Sequence, residues 1–303
     1  MIRKLTYILL AFILIAGCRT GGNKYDKEFE EIPDSLLDEG ELQVSEQAME
    51  DIVQNISSPV EIAALVKSLG VPFSKKYLAT TKNVDQLNTS FEQALHLGIY
   101  GADLGYLNMY SKTSSVLEYI TSIKTLSDAI NVGQFFDFVT LKRLATHSQN
   151  LDSLMYISVH SFNMMDRYLR ENNRGNLSAL IVAGIWIEGL YLATQVAKES
   201  THPDLAERIG EQKIIIGDLI LILKNYRRDP QIARLITNLE EIKAEFNDVK
   251  ITYEMGEPEA VEKDGMLMII QNETSIVHIS DEQLNRIIQK TEEIRNKIIK
   301  AKV

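Results

Sequence analysis

The sequence predicts a mainly α-helical protein, a multi-helix bundle or an array of helical hairpins, with a small β-hairpin appended before a C-terminal helix. Three observations predict it. From about residue 45 apolar residues recur at helical spacing between legible start and stop signals. The stretch from Val249 to Ile279 breaks that rhythm and is rich in Ile, Val, Met and Thr. The C-terminal residues then return to an amphipathic pattern, with Leu284, Ile287, Ile288, Ile294 and Ile298 on one helical face.

Each element has a local cause. Ser58-Pro59 supplies a cap and a first-turn proline for a helix over Val60 to Leu69, and Gly70 ends it. Longer helices follow at about Val84 to Tyr110, Ser114 to Val132 and Gln134 to His147. Asn150 is placed to cap Leu151 to Arg170, and Asn176 to cap Leu177 to Lys198, with Gly175 as the stop between them. Pro203 opens a helix to about Tyr226, and Asp229-Pro230 opens one to about Asn247. Val249 to Glu254 and Met266 to Ile279 read as strand sequence, with Gln271-Asn272-Glu273-Thr274 as the turn between two short strands and Gly265 as another turn residue. Ser280 and Gln283 make a capping-box pair ahead of the last helix. The expected organisation is a helical domain over 45–248 and a hairpin plus helix over 249–303 packed upon it.

The N-terminus reads differently. Arg3 and Lys4 precede an apolar run from Leu5 to Ala16, which ends in Ile15-Ala16-Gly17-Cys18. That run falls short of the roughly 20 residues a bilayer core requires, and Cys18 is the only cysteine in the chain. The pattern resembles the signal peptide and lipobox of bacterial lipoproteins. The resemblance implies that residues 1–17 are removed, that Cys18 carries a diacylglyceryl thioether and a further acyl chain such as palmitate, and that the mature protein is anchored to a membrane without spanning it. Disulfides are then excluded. Residues 18–44 carry Asp26, Glu28, Glu30, Glu31, Asp34, Asp38, Glu39 and Glu41 with few large apolar side chains, so they read as a flexible acidic tether.

Charge narrows the partners. The formal charge is -10, and loss of Arg3 and Lys4 with the leader would move it to -12. Such a field repels polyphosphates, so nucleic acid is not expected as a partner. Attachment to anionic lipid through a basic patch is disfavoured for the same reason.

Candidate chemistry concentrates on two helices. Ser178 to Ala197 is apolar almost throughout, which predicts a helix enclosed by protein, with Glu188 in its middle. Asp103 sits similarly on the earlier helix, where Gly98, Gly101, Ala102 and Gly105 form a small-residue face suited to close approach of a neighbour. Asp218 is a third acid in an apolar run. At an offset of 85 residues Leu95, Asp103, Tyr106 and Leu107 match Leu180, Glu188, Tyr191 and Leu192, which reads most simply as two core helices of like character.

Two readings of the acids stand side by side. Either His96, Asp103, Tyr106, His160, Glu188 and Tyr191 converge on a polar pocket for a small ligand or metal, or the acids are structural and satisfied by Tyr hydroxyls or by Arg143, Arg167 and Arg208. The Glu-x-x-His spacing of carboxylate-bridged metal bundles is absent, so no metal and no cofactor are expected. No Walker loop, GxSxG, HExxH or CxxC occurs, and no catalytic residue is assigned. The row Tyr100, Tyr106, Tyr110, Tyr119, Phe135, Phe136 and Phe138 reads as core, with an aromatic groove for sugar or peptide as the alternative.

The stretches Leu97-Gly98-Ile99-Tyr100-Gly101-Ala102-Asp103-Leu104-Gly105-Tyr106 and Glu293-Ile294-Arg295-Asn296-Lys297-Ile298-Ile299 resemble a group of helical lipoproteins of Gram-negative envelopes to which no activity is attached. The resemblance implies location and fold class but no catalytic residue. The expected function is a membrane-anchored, non-enzymatic binding or scaffold module at the outer membrane, on its periplasmic or surface face, with an envelope protein as partner. A small-ligand or metal-binding lipoprotein is the alternative.

Overall fold

The computed structural model describes residues 69–110, 112–145, 151–200, 202–263 and 266–300. All belong to a compact unit over residues 43–303. The leader, Cys18, the tether, residues 60–68 of the helix expected over 60–69, His147, Asn150 and Gly265 lie outside the described residues, while Leu69 and Gly70 form a turn.

Eight α-helices and two strands follow one another among those residues: α1 (Ser90–Met109), α2 (Thr113–Ala129), α3 (Phe138–Ala145), α4 (Leu151–Glu171), α5 (Gly175–Glu199), α6 (Pro203–Lys224), α7 (Pro230–Glu245), β1 (Lys250–Lys263), β2 (Met266–His278) and α8 (Asp281–Lys300). The chain is therefore mainly helical, with one antiparallel pair of strands ahead of the C-terminal helix.

α5 is the central element, in contact with α1, α4, α6 and α8. With a mean hydropathy of 1.7 it is the one helix among the described residues long and apolar enough to cross a membrane, yet 94% of that stretch is buried inside the protein. A helix apolar on every side needs such an enclosure. α2 lies on α1, α3 bridges α2 and α4, and α7 joins α6 to α8.

Glycine sets the closest crossing. A Cβ added at Gly98 would collide with the Ile181 carbonyl oxygen, and one at Gly184 with that of Leu95, so α1 and α5 touch backbone to backbone. The small-residue face expected on α1 is only partly used, because Gly101 is exposed and Gly105 has open space where its side chain would be.

The helix boundaries follow local chemistry. The Asp229 carboxylate accepts from the Gln231 and Ile232 N–H groups ahead of α7, and Ser280 and Gln283 exchange hydrogen bonds ahead of α8, as their sequence predicts. Others shift. α1 starts at Ser90 rather than Val84, because Thr89 and Glu92 form a capping box and Val84–Gln86 is a separate 3-10 turn. The helix expected from Gln134 starts at Phe138, where the Asp137 carboxylate accepts from the Thr140 N–H. Gly133–Phe135 forms a 3-10 turn that seats Phe135 on Tyr168 of α4, their ring centroids 4.9 Å apart. α5 starts at Gly175, not after an Asn176 cap, because Asn173, at φ 56°, takes the left-handed turn that ends α4.

The hairpin differs most from expectation. Gln271 to Thr274 are not a turn; they lie inside β2, where Gln271 pairs with Pro258, Glu273 with Met255 and Thr274 with Glu254. The ladder runs from Lys250↔His278 to Lys263↔Met266 with one slip between Met255 and Pro258. Asp264 and Gly265, which separate the strands in sequence, are outside the described residues. At the base, Val277 fills the space over Gly210 of α6, and Lys213 donates to the Asn247 and Val249 carbonyls at 3.0 and 2.8 Å.

Candidate functional site

Residues 71–81 hold a single 3-10 turn, Lys75–Tyr77, so most of their backbone groups need partners from elsewhere. α1 supplies them. Tyr100, Asp103, Tyr106 and Tyr110 recur at spacings of three and four and so share one helical face. The Tyr110 hydroxyl donates to the Val71 carbonyl at 2.8 Å, the Ser74 N–H to the Tyr106 hydroxyl at 3.1 Å, the Ala79 N–H to Asp103 Oδ2 at 2.9 Å, and the Tyr100 hydroxyl to the Thr80 carbonyl at 2.9 Å. The segment thus lies as a strap along α1, antiparallel to it. From α2, the Tyr119 hydroxyl donates to the Ala79 carbonyl, and Glu118 accepts from the Thr81 hydroxyl. Phe73 stacks on Tyr106 at 5.6 Å, and the Lys112 ammonium sits over the Phe73 ring.

Beneath the strap lies a charged cluster. Asp103 and Glu188 are 0% exposed and Arg295 is 6% exposed. Arg295 reaches in from α8 and grips Glu188 with two nitrogens, Nε to Oε2 at 2.9 Å and Nη2 to Oε1 at 2.5 Å. Such a fork is the strong form of an arginine–carboxylate pair. Nη2 also donates to the Tyr77 carbonyl of the strap at 3.1 Å, and the guanidinium lies 4.1 Å from the centre of the Tyr191 ring.

One arginine faces two carboxyl groups. Burial, and then the charge of Glu188, push the Asp103 carboxyl well above the usual carboxylate range. Burial pushes Glu188 up as well, opposed by the Arg295 charge and by hydrogen bonds from Arg295 and Asp103. The arrangement that satisfies all three has Glu188 ionised against Arg295, and Asp103 protonated and donating to Glu188. Asp103 Oδ1, which finds no donor, is the atom free to carry that proton.

Of the sequence-predicted residues, Asp103, Glu188 and Tyr191 meet in this cluster. Tyr106 is one turn further along α1 and holds the strap. His96 is buried one turn below Tyr100, edge-on to its ring; its Nδ1–H donates to the Glu92 carbonyl at 2.9 Å, and burial holds its pKa down. His160 is exposed on α4, and Asp218 is half-buried on α6 with its carboxyl pushed up by burial. Arg143 and Arg167 are exposed and Arg208 pairs with Glu211, so none of them serves the buried acids. The partner is Arg295, and the strap is the second component that sequence reasoning missed. A signal for Arg295 exists: it lies on the apolar stripe of α8 beside Ile294 and Ile298, where a lone cation implies a buried anion.

Chemically the cluster is spent. The guanidinium occupies the side of Glu188 where a cation would bind, and among the described residues no three His, Cys, Asp or Glu side chains gather as metal ligands. No protein-family model, no curated protein and no solved structure matches the chain.

Proposed function

We propose that the protein is a lipid-anchored, non-enzymatic binding or scaffold module of the Gram-negative cell envelope, held at the outer membrane through acyl chains on Cys18. The observation that carries the non-enzymatic part is the sealed cluster. The acids best placed for chemistry, Asp103 and Glu188, are fully buried and committed to Arg295, to each other and to the strap. A general acid or base must reach its substrate within hydrogen-bond distance, and groups closed off in this way do not. The address rests on Ile15-Ala16-Gly17-Cys18 and the short apolar run before it. The acidic residues after Cys18 suit a spacer that holds a globular unit off a lipid surface.

Intact-mass analysis of protein purified from its native cells tests the reading. The expected mass corresponds to a chain that begins at Cys18 and carries a diacylglyceryl thioether. A free thiol at that position, or a leader still attached, would overturn the anchor. Retention of a metal or small molecule in native spectra of the same sample would shift the reading to a ligand-binding lipoprotein.

A further inference from the structure

The two strands are unlike in composition. β1 carries six charged residues, Lys250, Glu254, Glu257, Glu259, Glu262 and Lys263, whereas β2 carries one, Glu273. β1 also has Pro258, which lacks an N–H, next to the register slip after Met255. Charge, proline and irregular register are the devices by which native sheets blunt an open edge. β2 has none of these between Met266 and Asn272; it reads Met-Leu-Met-Ile-Ile-Gln-Asn, apolar at five successive positions. That run holds no charge, proline or bulge to protect its edge, the composition of a strand flanked on both sides. Among the described residues β2 has one strand neighbour, β1, and contacts the helices through α6 near its C-terminal end. A two-stranded ribbon is marginal in water, and a third or fourth strand makes it stable.

We propose that two copies of this chain pair through the free edge of β2, antiparallel about a two-fold axis, to give a four-stranded sheet in the order β1, β2, β2, β1. Charge selects this edge and this occupant. A second β2 brings the uncharged run Met266 to Asn272 against an uncharged run, whereas β1 on β1 would bring two strands that each carry Glu254, Glu257, Glu259 and Glu262 together in a chain already at -10. The closed two-fold places β2 inside and leaves only the charged, proline-bearing β1 strands as edges. The sequence of each strand then matches its position. Met255, 69% exposed on β1, stands near the base of the ribbon, at the margin of the new sheet. The pairing is independent of the lipid anchor.

The test uses the full chain purified in detergent. Single cysteines placed in turn at residues 267 to 271 of β2, and at 259 to 262 of β1, are oxidised, with the parent chain and its own Cys18 as background. A two-fold antiparallel pair has one self-facing position, where Cα atoms come within about 4.5–5.5 Å, within reach of a disulfide. Cross-linking is therefore expected to peak at one position, fall away on either side, and be absent at 259 to 262 on β1. Sedimentation should give the mass of two copies for the parent chain and of one for Ile269→Lys, with unchanged helical circular dichroism. A single-copy mass for the parent chain, cross-linking without positional preference, or a dimer indifferent to Ile269→Lys with cross-links on β1 would overturn the proposal.

Discussion

The Asp103 carboxyl is held well above the usual carboxylate range because ionising it would place two negative charges beside one guanidinium in a space closed to water. That has a direct consequence for stability. Its carboxyl in the folded chain titrates above the ordinary value of 3.8. Between those two values the folded chain holds a proton that the unfolded chain has released, so this group's contribution is complete below about pH 4 and is lost as pH rises through the folded value. Asp103→Asn keeps a donor toward Glu188 and an acceptor for the Ala79 N–H but cannot titrate. Relative to the parent, the variant should gain stability as pH rises from about 4, with a limiting slope of about 1.4 kcal/mol per unit. Urea unfolding midpoints across pH check this, and a difference that stays flat with pH would show that Asp103 is ionised in the fold. At this scale the sequence is readable in one direction only. A carboxylate inside an apolar helical run announces burial, which is how Asp103 and Glu188 stand out. The partner does not announce itself, because Arg295 is 107 residues from Glu188 and becomes its neighbour only when α8 docks on α5.

Helices meet here at distances that their smallest residues decide. Gly98 and Gly184 are needed where α1 and α5 touch, whereas Gly101 faces open space on the same helix. Gly98→Ala should push the helices apart and destabilise by about 1–3 kcal/mol, as overpacked sites do. Gly101→Ala should stabilise by up to about 1 kcal/mol through helix propensity alone. Thermal unfolding of the two variants should therefore move in opposite directions, and a fall in both would remove the close crossing as the explanation. Element boundaries were legible where the cause is local. Pro203, Asp229-Pro230 and the Ser280–Gln283 pair each act within one turn, and each stands where the sequence places it. The hairpin was misplaced because Gln271 to Thr274 have turn-like composition, while pairing with β1 draws them into a strand. The strap was invisible because its order comes from α1, α2 and α8 rather than from its own residues.

The unit is closed by its last helix. Through Arg295, α8 ties Glu188 in the central helix to the Tyr77 carbonyl, a contact that spans 218 residues. Removing one member of a buried pair leaves the other's charge uncompensated, so Arg295→Ala should destabilise by about 3–5 kcal/mol. Glu188→Gln combined with Arg295→Met should recover most of that loss, since no charge is then stranded. Urea unfolding of the three chains measures both, and an Arg295→Ala chain as stable as the parent would mean that the pair is solvated. The strap carries a mechanical consequence. Because it runs antiparallel to α1, tension on the chain upstream of Val71 arrives first at the Tyr110 bond and only afterwards at Tyr106, Arg295 and Asp103. A pull away from the helix peels these fastenings one at a time, whereas a pull along the helix axis strains them together, so the direction of a load decides how many of them resist it at once.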